Sequence, residues 1–85
     1  MNAAERDAFF DELVDAVHAG ELTLGEAARK LRTEVAGVNQ ATFARMTKVS
    51  ERTLRHLEND TGNPTLATLR SVLSPFGLTL GIQRR

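Results

Sequence analysis

The segment from Val38 to Asn59 constrains this chain most, because its apolar residues are spaced for two short helices joined by a tight turn. The small Ala44 would allow these helices to cross closely. Ser50 is suited to cap the second helix, since a serine hydroxyl accepts a hydrogen bond from a free backbone N–H of the first turn. The apolar positions of the pair are Phe43, Ala44, Val49, Leu54 and Leu57.

The second predicted helix has two unlike sides. At about 100° per residue, its polar residues fall within an arc of roughly 140°. Leu54 and Leu57 fall opposite that arc. One side is therefore suited to a core and the other to an external partner, as in the second helix of a DNA-binding helix-turn-helix. The polar set is Glu51, Arg52, Arg55, His56 and Asn59.

The same segment resembles the helix-turn-helix of the Xre/Cro repressor family, whose pattern runs roughly Leu-Ser/Asn-Gln-x-x-Leu-Ala-x-x-x-Gly-Val-Ser-x-x-Thr-Ile-x-x-Leu-Glu-Asn. The segment that begins Asn63-Pro64-Thr65-Leu66 resembles the next helix of the family, which typically begins Asn-Pro-Ser-Leu. The resemblance runs from about Leu24 to Leu80. The matching residues are Val38, Asn39, Gln40, Phe43, Ala44, Val49, Ser50, Thr53, Leu54, Leu57, Glu58 and Asn59.

Two positions depart from the family pattern. Lys48 stands where the family has its turn glycine, so either the turn forms without a positive φ or Lys48 bears that strain. Pro75 lies late in the predicted last helix, where it removes a backbone donor and should kink or end the helix.

The resemblance implies an all-α, five-helix domain of the Xre or lambda-repressor type. We expect an N-terminal acidic amphipathic helix over residues 1–20, the helix-turn-helix domain over 23–76 and a strand with a tail over 77–85. In the family pattern, the glutamine at position 40 lies at the helix N-terminus beside a DNA phosphate, and Asn39 lies nearby. Helix N-termini offer free N–H groups to phosphate oxygens. We favour that role for Asn39 and Gln40, although either can instead be a simple cap.

Arg52, Arg55 and His56 are the best candidates for the major groove, since arginine can bind guanine O6 and N7 together. Each can instead contact a phosphate or be a solvated side chain. Glu51 either accepts from cytosine N4 or stabilises the first turn of the helix. We expect Lys48 to lie near the DNA backbone and Glu58 to be a structural acceptor. The predicted DNA-binding residues are Asn39, Gln40, Lys48, Ser50, Glu51, Arg52, Thr53, Arg55, His56 and Asn59.

The formal charge of zero conceals an asymmetry between the two parts of the chain. Residues 1–26 hold seven acidic residues and one basic residue, a net charge of −6, and residues 27–85 hold ten basic and four acidic, a net charge of +6. A basic body is suited to binding phosphates. The acidic arm either binds a basic partner or only solubilises the chain.

Helix signals continue on both sides of the motif. Asn2 is suited to cap a helix that runs to about His18, and its apolar stripe predicts core packing ahead of a partner surface. Thr23 and Glu26 fit a capping box. The next helix should place Leu24, Ala27, Leu31 and Val35 inward and Arg29, Lys30 and Arg32 outward, and end at Gly37. Thr65 or Asn63 should cap the last helix, with Leu66, Leu69, Val72 and Leu73 inward.

After Gly77, apolar residues recur at every second position, and this spacing predicts a short strand. The chain has no second convincing strand, so we expect this one to pair with the same segment of another copy about a two-fold axis. A homodimer would then present two recognition helices to a palindromic operator. The alternative is a disordered basic tail. The predicted dimerisation residues are Leu78, Leu80 and Ile82.

Three classes of function follow. The first is a sequence-specific repressor, and the second is an antitoxin that also represses its own operon, similar to HipB-like or HigA-like antitoxins. The absence of an attached sensing domain favours the antitoxin; a stand-alone Xre regulator is the alternative. The resemblance implies a toxin partner, either a HipA-type kinase or a HigB-type ribonuclease. The third class, an enzyme, has no supporting constellation of residues.

No cysteine occurs, so disulfides and thiolate metal sites are excluded. We predict no cofactor, no metal, no membrane span and a bacterial cytoplasmic, nucleoid-associated location.

Overall fold

The computed structural model describes residues 1–84, and all its regular structure is helical. α2 continues directly into a π-helical segment, Leu31–Ala36, and α5 continues into a 3-10 turn, Ser74–Phe76. The all-α prediction is therefore confirmed. The five α-helices are α1 (Ala3–His18), α2 (Leu24–Lys30), α3 (Gln40–Thr47), α4 (Glu51–Glu58) and α5 (Leu66–Leu73).

Side-chain caps set the starts of the first two helices, as the sequence predicted. Asn2 accepts a hydrogen bond from the Glu5 backbone N–H, and the Glu5 carboxylate accepts from the backbone N–H of Asn2. Thr23 and Glu26 form the same reciprocal capping box. Gly37 ends the π-helical segment in the left-handed conformation, with φ of 66°.

The core consists of two apolar clusters that meet at Phe76. The first surrounds Phe43 and Leu54, which are fully buried between α3 and α4. The second surrounds Leu31 and Leu13 and includes the inner side of α1. Phe76 packs against both clusters, with its ring centroid 6.0 Å from Phe43 and 6.3 Å from Phe10. The 3-10 turn that contains Phe76 therefore joins the two apolar clusters of the core.

The apolar stripe of α1 is a core face, as predicted. Leu13 is buried, and Phe9, Phe10 and Val17 pack half-buried around it. Arg6 lies with its guanidinium carbon 5.8 Å from the centre of the Phe10 ring. The acidic residues of α1 are exposed, so the helix is docked while its charged side remains open.

α2 approaches α4 closely at Gly25. A Cβ at this position would collide with the carbonyl oxygen of Leu57 and with the carboxylate of Asp60. The Thr23 hydroxyl donates to Asp60 Oδ2 at 2.8 Å. Asp60 adopts a left-handed conformation, with φ of 56°. Its carboxylate therefore lies at the N-terminus of α2, where the helix dipole favours negative charge.

Two leucines predicted to face inward are exposed instead. Leu24 is 41% exposed and Leu66 is 62% exposed. Each is the first residue of its helix. Helical side chains lean towards the N-terminus, so at the first position they extend past the end of the helix, where no preceding turn covers them.

The predicted C-terminal strand is wrong for the chain as described, because no strand forms between residues 1 and 84. Leu78 and Leu80 are half-buried against the second cluster, whereas Ile82 is fully exposed. The first two apolar residues of the alternation thus cover helices from a segment without regular secondary structure, which has no neighbouring strand to form a ladder with. Arg85, which the predicted tail included, lies outside the described residues.

The prediction for Pro75 is confirmed, since α5 ends at Leu73.

Among residues 1–84, no helix is both long enough and apolar enough to cross a bilayer.

Candidate nucleic-acid interface

The turn between α3 and α4 forms without glycine. Lys48 occupies the left-handed region, with φ of 58° and ψ of 33°, and bears the strain that the family's glycine would avoid. The Val49 backbone N–H donates to the Ala44 carbonyl at 3.1 Å, which closes the turn. Ser50 then caps α4, as predicted, by accepting from the Thr53 N–H at 3.0 Å.

α4 divides into a buried and an exposed side, as the helical wheel predicted. Leu54 and Leu57 are buried in the first cluster, and Glu58 is buried beside them. Half-buried Thr53 accepts from the Ser50 hydroxyl at 2.7 Å, so these two predicted contact residues are engaged with each other. The exposed residues are Glu51, Arg52, Arg55, His56 and Asn59.

The loop after α4 forms one wall of a shallow cavity of about 210 Å³. Thr61 folds back on His56: its N–H donates to the His56 carbonyl at 2.8 Å, and its hydroxyl lies 3.4 Å from the ring Nδ1. Gly62 lies against the same ring and has no side chain to displace it. Arg52 and Pro64 contribute to the cavity lining. The exposed side of α4 is therefore continuous with a concave surface built by the loop.

Asn39 and Gln40 lie together at the N-terminus of α3. Asn39 Oδ1 accepts from the Thr42 N–H at 2.8 Å, so its side chain is the cap of this helix. The Gln40 side-chain amide donates to Glu58 Oε1 at 3.2 Å and is half-buried. The cap occupies the Thr42 N–H, so the Gln40 and Ala41 N–H groups are the first-turn donors without an acceptor within the helix, and these two remain available to an anion.

Arg32 was predicted to point outward and is instead 9% exposed. It donates to Glu58 through both Nε and Nη2, each at 2.8 Å, and through Nη1 to the Val38 carbonyl at 3.0 Å. The hydrogen bonds with Glu58, and the charge of that carboxylate, raise the pKa of Arg32 against the opposing effect of burial. The prediction for Glu58 as a structural acceptor is confirmed. Local sequence patterns could not identify Arg32 as its partner, since the two residues are 26 positions apart.

Charge is distributed unevenly over the surface. The side of α4 described above carries two arginines, and Lys48 is exposed in the preceding turn. The exposed acidic residues of α1 form no ion pair within the part of the chain that the structure describes, where the surface pair is Lys30–Glu34 at 3.5 Å. Residues 1–84 contain no group of His, Asp and Glu side chains arranged to hold a metal ion.

Comparison with known proteins gave one family. The family described as Helix-turn-helix matches residues 29–83, about two thirds of the chain, so its match includes α3, α4 and α5. Comparison with curated proteins and with solved structures gave no significant match. α1 and the start of α2 lie outside the matched residues. The chain belongs to the Xre-type helix-turn-helix family and is a DNA-binding transcription regulator.

Proposed function

We propose that this protein is a sequence-specific repressor whose α4 enters the DNA major groove. The observation that carries the proposal is the division of α4: five polar side chains are exposed on one side, while Leu54 and Leu57 hold the other side in the core. A helix held in this way can present its polar side to base edges without unfolding any part of the domain.

Within this interface we assign separate roles to the exposed residues. Arg52 and Arg55 read bases, since a guanidinium can donate to guanine O6 and N7 together. Lys48 and the N-terminus of α3 contact phosphates on either side of the groove. His56, supported by Thr61, completes the surface towards the loop. Ser50 and Thr53 act indirectly, because their mutual hydrogen bond fixes the first turn of α4.

Fluorescence anisotropy with two labelled duplexes tests this proposal. One duplex carries the promoter upstream of the protein's own gene, and the other has the same length and base composition in scrambled order. We expect tighter binding to the promoter, and affinity for both duplexes should fall steeply as salt is added. Binding that is absent at low ionic strength, or that does not respond to salt, would contradict the proposal.

We also propose that the protein binds its operator as a homodimer. Half-sites of a palindrome lie about 34 Å apart, one turn of DNA. The segment after Gly77 leaves the apolar Ile82 side chain fully exposed, which supports this segment as the contact between copies.

Sedimentation equilibrium tests the dimer. We expect a dimer at micromolar concentration and a weaker one after Leu80→Pro, which removes both a backbone donor of this segment and a side chain that packs against the second cluster. Ile82→Asp, at a side chain without core contacts, should weaken the dimer and leave the fold intact. A monomeric wild type, or a dimer unaffected by truncation at Gly77, would rule out this arrangement.

A second candidate function is that of an antitoxin, which binds a toxin protein as well as its own promoter. The observation that favours it is the docked α1, whose exposed carboxylates have no cationic partner within the described residues. A basic toxin could bind there without covering α4. A stand-alone regulator without a toxin is the alternative.

The product of the neighbouring gene distinguishes the two candidates. If it is a kinase or a small ribonuclease, it can be co-purified with this protein and its association rate measured. Changing Asp11 and Asp15 to Lys should slow association and reduce its salt dependence, because charge steers such encounters. The matched control is the same double change at Glu34 and Glu51, outside α1. Equal effects of the two variants would exclude α1 as the binding surface.

A further inference from the structure

The N-terminus of α3 is connected to the C-terminal end of α4 by one carboxylate. Glu58 Oε1 accepts from Gln40 Nε2 at 3.2 Å and from Arg32 Nη2 at 2.8 Å. Its other oxygen, Oε2, accepts from Arg32 Nε at 2.8 Å. Glu58 is only 4% exposed, so these contacts are made in the interior, directly beneath a half-buried glutamine at the surface.

The Glu58 carboxylate determines which atom of the Gln40 side-chain amide, the nitrogen or the oxygen, faces it. A carboxylate paired with arginine offers only lone pairs, so the amide nitrogen and not the amide oxygen must face it. An NH₂ group carries two hydrogens, and the bond to Glu58 uses one of them. The other N–H remains for a ligand beside the first turn of α3, where the Gln40 and Ala41 backbone N–H groups also have no helical acceptor.

Arg32 makes this arrangement compatible with DNA. An unpaired carboxylate near the phosphate backbone would repel it. The two-point contact with a guanidinium neutralises Glu58, and such paired, charge-assisted hydrogen bonds are short and directional. The carboxylate can therefore orient the glutamine without opposing the negative charge of the DNA.

We propose that Glu58, held in place by Arg32, is a positioning residue that orients the Gln40 amide for contact with a DNA phosphate. This inference rests on the proposed DNA-binding function and adds to it a buried pair that never touches the DNA. Because the amide is already fixed in the free protein, it loses less side-chain freedom when DNA binds.

A double-mutant cycle in DNA affinity tests the inference. The probe is a mixed-sequence duplex about two helical turns long, because a phosphate contact does not depend on sequence. The first variant is Gln40→Ala. The second replaces the pair with apolar residues of similar size, Arg32→Met together with Glu58→Met, since such replacements are often tolerated in the folded state. The third combines all three changes, and each variant is assayed at a temperature where circular dichroism shows it folded.

Per bound protomer, we expect Gln40→Ala to weaken binding about fivefold, the size of one hydrogen bond. The pair variant should weaken it about threefold, because the glutamine is present but no longer oriented. The combined variant should be no weaker than Gln40→Ala alone. Losses that multiply in the combined variant would overturn the inference, as would wild-type affinity in the pair variant or in Gln40→Ala. A wild type without salt-dependent binding would instead overturn the proposed function itself.

A second measurement does not depend on the folding of any variant. The two side-chain amide protons of Gln40 can be followed by NMR in the wild-type protein. Before DNA is added, one proton should show the slow exchange of a hydrogen-bonded group, and the other should shift when the duplex is added. Two protons that behave alike before and after addition would contradict the positioning role.

Discussion

Arg32 and Glu58 form a buried, two-point ion pair, with both N–O distances at 2.8 Å, across 26 positions of the chain. The third arginine nitrogen donates to the Val38 carbonyl. No buried side-chain nitrogen or oxygen of residues 1–84 lacks a hydrogen-bond partner. The pair thus holds the π-helical segment against α4 without leaving a buried charge uncompensated. Removal of either partner would leave the other charge buried and unpaired, and would lower the stability of the fold.

Arg32→Ala should lower the free energy of unfolding by about 3–5 kcal/mol, because it leaves Glu58 buried and unpaired. Urea denaturation measures the change. The matched control is Arg29→Ala, an exposed arginine one turn earlier, which should change stability by less than about 0.5 kcal/mol. Equal losses in the two variants would contradict a special role for the ion pair.

The same ion pair predicts the direction of a pH effect. The pKa of Arg32 is raised in the folded state. Its contribution to the free energy of unfolding is therefore complete below the ordinary arginine pKa, and it is lost only when the pH rises beyond the raised value. The stability difference between wild type and Arg32→Ala should therefore not shrink between pH 7 and roughly pH 9. Urea titrations at both values check this.

Gly25→Ala should destabilise the protein by about 1–3 kcal/mol or more, because the new methyl group would enter space that the Leu57 carbonyl and Asp60 carboxylate occupy. Gly81→Ala is the control, since a Cβ there has open space around it. Thermal unfolding of both variants measures the effect. If Gly25→Ala were as stable as Gly81→Ala, the close approach of α2 and α4 would be wrong.

Two substitutions at Lys48 separate its strain from its charge. Lys48→Gly relieves the left-handed backbone and should stabilise the fold by about 0.5–1 kcal/mol, whereas Lys48→Ala retains the strain. Both remove the charge, so both should reduce the salt slope of DNA binding by about one. Thermal unfolding and anisotropy measure the two effects. A salt slope equal to that of the wild type would exclude a phosphate contact.

Arg55→Ala should weaken operator binding by about 1–3 kcal/mol and relax the base preference at one position. Arg6→Ala removes the same charge from α1 and should leave that preference unchanged. Competition against operators that each carry one altered base pair measures the effect. A uniform loss over all the competitors would indicate that Arg55 contacts a phosphate and reads no base.

The starts of three helices and the two sides of α4 could be predicted from the local sequence. The caps at Asn2, Thr23 and Ser50 were predictable because a side-chain oxygen next to a helical period satisfies the free N–H groups of the next turn. The two sides of α4 were predictable because a helix repeats every 3.6 residues, so the spacing of Leu54 and Leu57 already defines the opposite, exposed side.

The tertiary structure decided what spacing cannot encode. Arg32 belongs to a basic run that resembles a solvated face, and only its position opposite Glu58 makes it buried. The apolar alternation after Gly77 is that of a strand, but Leu78 and Leu80 instead cover a helical cluster, because no neighbouring strand is present in the described chain. Likewise the orientation of Gln40 depends on a carboxylate 18 positions away. Local patterns determine where helices begin and which side is apolar, whereas the pairing of buried charges depends on how those helices pack.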